Sequence, residues 1–118
     1  MPRDRLFLKH MLAAMERVGE LIGRIDREAF DRDWVLQDAV MRELEVLGEA
    51  AGRVSPALVQ AHPEIPWREI TGLRHKLIHD YFEVDLSIVW GTATSNVPEV
   101  SPFVRAALDA LSDAEGPG

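Results

Sequence analysis

Apolar residues return along this chain at helical intervals, and prolines and charged clusters cut the pattern into blocks. From Arg5 to about Asp26, Leu8, Met11, Leu12, Met15, Val18, Ile22 and Ile25 recur at three- and four-residue steps. That spacing lines one face of an α-helix. Arg17, Glu20, Arg24 and Arg27 fill the other side, and His10 falls with them, which predicts a surface position. Gly19 and Gly23 sit inside this helix, each costing about 1 kcal/mol against alanine. Either a close helix contact, across a dimer for example, offsets that cost or the helix tolerates it. Asp31, Arg32 and Asp33 break the period over 28–33, with Asp33 placed to cap the next helix. That second helix is predicted from Trp34 to Val54. Val40, Leu44, Leu47, Ala51 and Val54 form its main stripe, and Leu36, Val46 and Ala50 widen it enough to be covered on two sides.

Ser55-Pro56 ends the second helix, because the residue before a proline resists the α region. Ala57 to Ile65 reads as a connector holding one short helical turn. Pro66 suits the first turn of a third helix from Trp67, with Ile70, Leu73, Leu77 and Ile78 toward the core and Trp67 at an element boundary. Asp85 can cap a helix containing Leu86, Ile88, Val89 and Trp90. Asn96 with Glu99 resembles a capping box around Pro98, and Ser101-Pro102 offers a second start for a last helix reaching about Leu111. Ser112 to Gly118 is polar and rich in Gly and Pro, a frayed tail. No strand-like alternation and no repeat intervenes. The prediction is all-α, an antiparallel bundle of four to five helices, with one domain over residues 1–112 and a tail over 113–118.

Bulk composition narrows the function. The chain has 118 residues, enough for one core, and no cysteine, which removes disulfides and thiolate metal sites. No leader-like stretch stands at its start and no apolar run approaches the ~20 residues needed to span a bilayer. These features predict a cytoplasmic protein without membrane contact. A formal net charge of −7 argues against loose wrapping of nucleic acid by charge alone, yet leaves room for a local phosphate pocket. Positive charge is indeed local, in Arg68, Arg74, His75, Lys76 and His79. Gly48-Glu49-Ala50-Ala51-Gly52 is not a phosphate loop, since no Gly-Lys-Ser/Thr follows and helical periodicity runs through it.

The densest chemistry lies in Arg74-His75-Lys76-Leu77-Ile78-His79-Asp80-Tyr81. At about 100° per residue, Arg74 and Tyr81 share a helix face, while His79 stands about 140° around from Arg74. The three converge only if the helix loosens near His79 or a second chain closes the site. An arginine grips phosphate oxygens in bidentate fashion, a histidine transfers protons near neutral pH, and a phenol hydrogen-bonds phosphate or ribose. As a set they suit metal-free cleavage of an RNA backbone. His79 would take the 2′-hydroxyl proton or protonate the leaving oxygen, Arg74 would stabilise the phosphorane-like transition state, and Tyr81 would hold the phosphate or orient His79. Arg68, His75 and Lys76 are candidate RNA contacts at the cleft rim. No cofactor is called for. A rival is a metal site on His75 and His79, four apart, with Asp80, although Lys76 stands where a zinc-protease signature has Glu. The plainest alternative is a solvated helix face.

Arg74, His79 and Tyr81 also form the R-x4-H-x-Y pattern typical of HEPN ribonuclease domains. Three further blocks resemble the HepT-like (DUF86) branch: Leu44 to Ala50, His62-Pro63-Glu64-Ile65-Pro66-Trp67-Arg68-Glu69-Ile70 with Gly72-Leu73-Arg74, and Tyr81-Phe82 followed by Val84-Asp85 and Ile88-Val89-Trp90. The likeness covers roughly residues 3–111. It implies the toxin of a type VII-like toxin–antitoxin pair, a homodimer whose motifs line a shared cleft. Arg74 and His79 are then the ribonuclease pair and RNA, tRNA first, the substrate. The implied partner is an MntA-like minimal nucleotidyltransferase that silences the toxin by AMPylation of Tyr81. Asp80, at a position that varies in the family, adds negative charge beside the phosphate site; it either weakens RNA binding or favours protonated His79. The alternative is a non-catalytic nucleotide-binding or scaffolding HEPN partner, or the antitoxin itself.

Overall fold

A computed structural model describes residues 2–79 and 84–115, apart from the side chains of 2, 74, 76–79 and 112–115. Helix α1 (Pro2–Ile22) carries Leu8, Met11, Leu12, Met15 and Val18 into the core. It ends at Ile22, earlier than predicted, and Ile25 packs on the core from the turn beyond. His10 is exposed, as its polar face predicts. Among the described residues, no neighbouring helix comes within 4 Å of a methyl group placed on either glycine. A methyl group on Gly19 would meet nothing within 4 Å, and one on Gly23 would meet only the Gly19 carbonyl, at 2.7 Å. Among the described residues tolerance is the reading that holds at Gly19, whereas Gly23, just past the end of α1, has no room for a side chain beside that carbonyl.

The stretch expected as a break contains a short helix, α2 (Arg27–Asp31), capped by Asp26, whose side chain accepts from the Ala29 N–H at 2.8 Å. Phe30 in α2 is fully buried and meets the Trp90 ring at 5.2 Å. Five residues with two adjacent apolar ones, Ala29 and Phe30, give no periodicity to read. Helix α3 (Trp34–Gly52) starts as predicted, with Asp33 accepting from the Leu36 N–H at 3.0 Å. Gln37 donates to the Phe30 and Asp31 carbonyls at 2.9 and 3.2 Å, which joins the end of α2 to α3. The connector supplies one short helix, α4 (Pro56–Ala61), capped by Ser55. Asp85 caps α6 (Leu86–Gly91) as read, accepting from the Ser87 and Ile88 N–H groups. Of its apolar residues, Val89 takes the core position and Ile88 is 41% exposed.

Four long helices, α1, α3, α5 (Trp67–His79) and α7 (Val97–Glu115), make the body, and the fold is all-α. Helix α1 packs between α3 and α7, and α3 packs between α1 and α5. The predicted capping box at Asn96 is not formed. Helical structure runs unbroken from α6 through a π turn (Thr92–Asn96) into α7, and Pro102 lies inside the last helix. Proline explains the π turn. Pro98 has no N–H for the Thr94 carbonyl, and its ring would press on that carbonyl in a regular α-helix. The widened turn relieves both: the Val97 N–H reaches back to the Thr92 carbonyl, while Thr94 Oγ1 donates to the Trp90 carbonyl at 2.7 Å. Helix α7 continues to Glu115, into the stretch read as tail.

Candidate functional site

Helix α5 carries the reactive stretch, and the loop before it fixes its start. Trp67 Nε1 donates to the His62 carbonyl at 2.9 Å, and the Trp67 N–H donates to the Ile65 carbonyl at 2.8 Å. Ile65 and Trp67 are both buried, which puts Trp67 at the element boundary its position predicts. Pro66 opens the first turn, its carbonyl accepting from the Ile70 N–H at 3.1 Å. His62 Nδ1 lies 3.1 Å from Glu64 Oε1. A hydrogen bond from Glu64's own backbone, with a smaller contribution from His62, holds the Glu64 carboxyl below its ordinary range. These contacts secure the entry to α5 without using its later turns.

Along α5, Ile70 is buried and Leu73 half-buried, as predicted, while Arg68 and His75 are exposed. Seven residues apart, Arg68 and His75 lie on nearly one face, about 10 Å apart along the axis. The backbone of Arg74, Lys76 and His79 belongs to α5, so all three stand on one continuous helix. Their side chains, and all of Asp80 and Tyr81, lie outside the described residues, as do the side chains of Leu77 and Ile78. The convergence of Arg74, His79 and Tyr81 therefore rests on the sequence. Among the described residues, no group of three or more His, Cys, Asp or Glu side chains is arranged to hold a metal ion. No helix among them is long and apolar enough to cross a membrane.

Between α5 and the α6–α7 segment lies an open groove of about 320 Å³. Ile70 and Leu73 form one wall and Val97 and Val100 the other, over a floor of Met15 and Leu47. Its apolar walls run along the helix that carries the motif. Phe103 on α7 is 43% exposed. Sequence reasoning did not find this groove, because its walls come from four separated segments and the π turn sets one of them.

A family model described as ribonuclease HepT-like matches residues 11–107. The chain is 38% identical over 108 residues to a candidate RNase of Caldanaerobacter subterraneus subsp. tengcongensis, an alignment covering 92% of this chain and 96% of that one. It is 39% identical over 94 residues to a candidate ribonuclease HepT of Thermococcus cleftensis, covering 80% and 86%. A candidate RNase of Methanocaldococcus jannaschii shares 38% over 96 residues, covering 81% and 83%. No solved structure matches the chain.

Proposed function

Because this chain belongs to the HepT-like ribonuclease family, we propose that it is an RNA endonuclease working through Arg74, His79 and Tyr81. The observation that carries the reading is an intact R-x4-H-x-Y series, begun on α5, within a family match that spans nearly the whole bundle. The chemistry follows from the three side chains. His79 takes the proton of a ribose 2′-hydroxyl, or returns one to the leaving oxygen. The 2′-oxygen attacks phosphorus in line, the P–O5′ bond breaks, and the products are a 2′,3′-cyclic phosphate and a 5′-hydroxyl. Arg74 stabilises the charge that gathers on the phosphoryl oxygens during attack. No step needs a metal. Tyr81 holds the phosphate or orients His79. Arg68, His75 and Lys76 are the proposed rim contacts to RNA, and tRNA is the first substrate to test.

The working unit is a homodimer with the motifs of both chains lining one cleft, and the apolar groove along α5 supports that reading. We infer that the chain is the toxin of a two-gene pair and that a minimal nucleotidyltransferase silences it by moving AMP from ATP onto the Tyr81 oxygen, releasing pyrophosphate. The adduct adds bulk and negative charge where the RNA phosphate must sit, so substrate is excluded by volume and by repulsion.

Purified protein should cut a tRNA pool in chelator and leave the 2′-deoxy version of a cut sequence intact. His79→Ala and Arg74→Ala should each lose cleavage by about 10²-fold or more while keeping the dimer. Full cleavage by His79→Ala would contradict the assignment. Tyr81→Phe should retain much of the nuclease activity and escape the transferase, which intact mass reads directly as loss of an AMP-sized adduct.

A further inference from the structure

On the face formed by α1 and α3, a second cleft of about 320 Å³ takes no wall from α5. Its size falls in the range of small-ligand pockets, about 300–1,000 Å³. From α1 come Phe7 and His10, whose rings meet edge to face at 6.1 Å. From α3 come Arg42, Glu45 and Glu49 over a floor of Val46 and Ala50, and Arg53 joins them from just past its end. Two guanidiniums flank the Phe7 ring, Arg3 at 5.7 Å and Arg53 at 5.9 Å from its centre. Arg53 also reaches Glu49 Oε1 at 3.2 Å. Arg3 and Arg42 form no ion pair among the described residues. The lining sets Arg42 and Arg53 against Glu45 and Glu49, and Arg3, beside the cleft over the Phe7 ring, adds a third guanidinium, in a chain whose formal net charge is −7.

We propose that this α1–α3 cleft is a second RNA-binding site, holding a single-stranded part of the substrate away from the cleavage centre on α5. The groups present match the parts of a nucleotide. Arg3 and Arg42 offer guanidiniums to phosphate oxygens, and bases stack on arginine planes and on aromatic rings. Glu45, facing the same space, accepts from the exocyclic amines of cytosine or adenine. Mixed polar walls favour a nucleic acid over the apolar anchor of a protein partner. Because α3 packs between α1 and α5, a strand held in the cleft and cut on α5 crosses α3. The site then lengthens the footprint beyond the scissile link and selects substrates with an unpaired segment next to the cut.

The inference rests on the ribonuclease reading only for the identity of the strand, and binding is measured without turnover. The probe is a fluorescein-labelled single-stranded RNA with 2′-O-methyl riboses, which has no 2′-hydroxyl to attack, titrated by anisotropy at several salt concentrations. Arg42→Glu and Arg3→Glu change exposed side chains, and circular dichroism checks the fold of each. Each should weaken binding at least about five-fold and lower the slope of log affinity against log salt by about one. On cleavable RNA the rate at saturation should stay at the wild-type value while KM rises. Arg42→Lys should restore most of the affinity. Unchanged affinity in both glutamate variants overturns the assignment, also where a variant loses a protein partner instead. A wild-type protein that binds the probe but cuts no RNA would sink the ribonuclease reading and leave the cleft standing. Normal cleavage with unaltered binding in both variants would sink the cleft alone.

Discussion

Asp4 shows how a single side chain can join distant parts of the chain. It is 3% exposed, a position where an ionised carboxylate is costly unless hydrogen-bonded. Its oxygens accept from the Ser55 N–H at 2.8 Å and from Ser55 Oγ at 2.6 Å, fastening the first turn of α1 to the junction of α3 and α4. Ser55 Oγ also accepts from the Leu58 N–H at 3.3 Å and so caps α4. Asp4→Ala should cost about 1–3 kcal/mol, because it strands a part-buried donor pair, and Ser55→Ala about 1 kcal/mol, chiefly the cap. Urea unfolding of both checks the order, and a neutral Asp4→Ala would refute it. The sequence reading began α1 at Arg5 and tracked apolar spacing, so a buried acid one residue earlier left no signal. Glu64 gives the pH counterpart. Its folded carboxyl is held low. The stability it adds is therefore present above the ordinary carboxylate range and lost as pH falls through the folded value. Glu64→Gln should lose that small contribution at neutral pH, flatten the matching part of the acid limb of a melting-temperature profile, and match the wild type at low pH.

At the scale of elements, the long helices were legible because each buries a stripe, and caps at Asp33 and Asp85 mark two starts in chemical terms. Where sequence and structure part, two local rules compete. Asn96, Pro98, Glu99, Ser101 and Pro102 are start signals for a helix entered from a loop. Here the chain enters already helical from α6, held by Val89, Ala93 and Val97 in the core. Burial of that continuous face outweighs the signals, and Pro98 is absorbed by the π turn rather than by a break. Pro102 in the helix interior carries a cost of up to about 3 kcal/mol against alanine. Pro102→Ala should therefore raise stability, read as a higher urea midpoint at constant m. Pro98→Ala should bring a new protected amide at position 98 in hydrogen exchange, as the Thr94 carbonyl regains a donor. A Pro98→Ala chain in which that amide exchanges at the open rate would refute the account of the turn. The α2 helix was illegible for a different reason: it is five residues long and is held by Phe30 on Trp90 and by Gln37. Phe30→Ala should cost about 3–5 kcal/mol.

At the scale of the whole molecule, the question is how many chains make one working centre. On an ideal helix His79 stands about 140° from Arg74, too far around for both to meet one phosphate. The motif text identified the candidate side chains; it could not say which copies of them meet, since a linear pattern holds no information about symmetry. An apolar groove of about 320 Å³ beside the same helix offers a surface for a second copy. If two-fold packing assembles the site in trans, Arg74 of one chain serves the phosphate beside the 2′-hydroxyl that His79 of its partner deprotonates. Mixing separately inactive Arg74→Ala and His79→Ala chains after a cycle of dissociation then rebuilds one intact centre in each mixed dimer. Random pairing makes half the dimers mixed, each with one of two centres whole, so activity should return to about a quarter of wild type. If both groups act in cis, every centre in the mixture lacks one of them and no activity returns. Light scattering on the same samples separates these outcomes from a third. A chain that stays monomeric and still cuts RNA would mean that α5 itself bends beyond His79 to bring the three groups together.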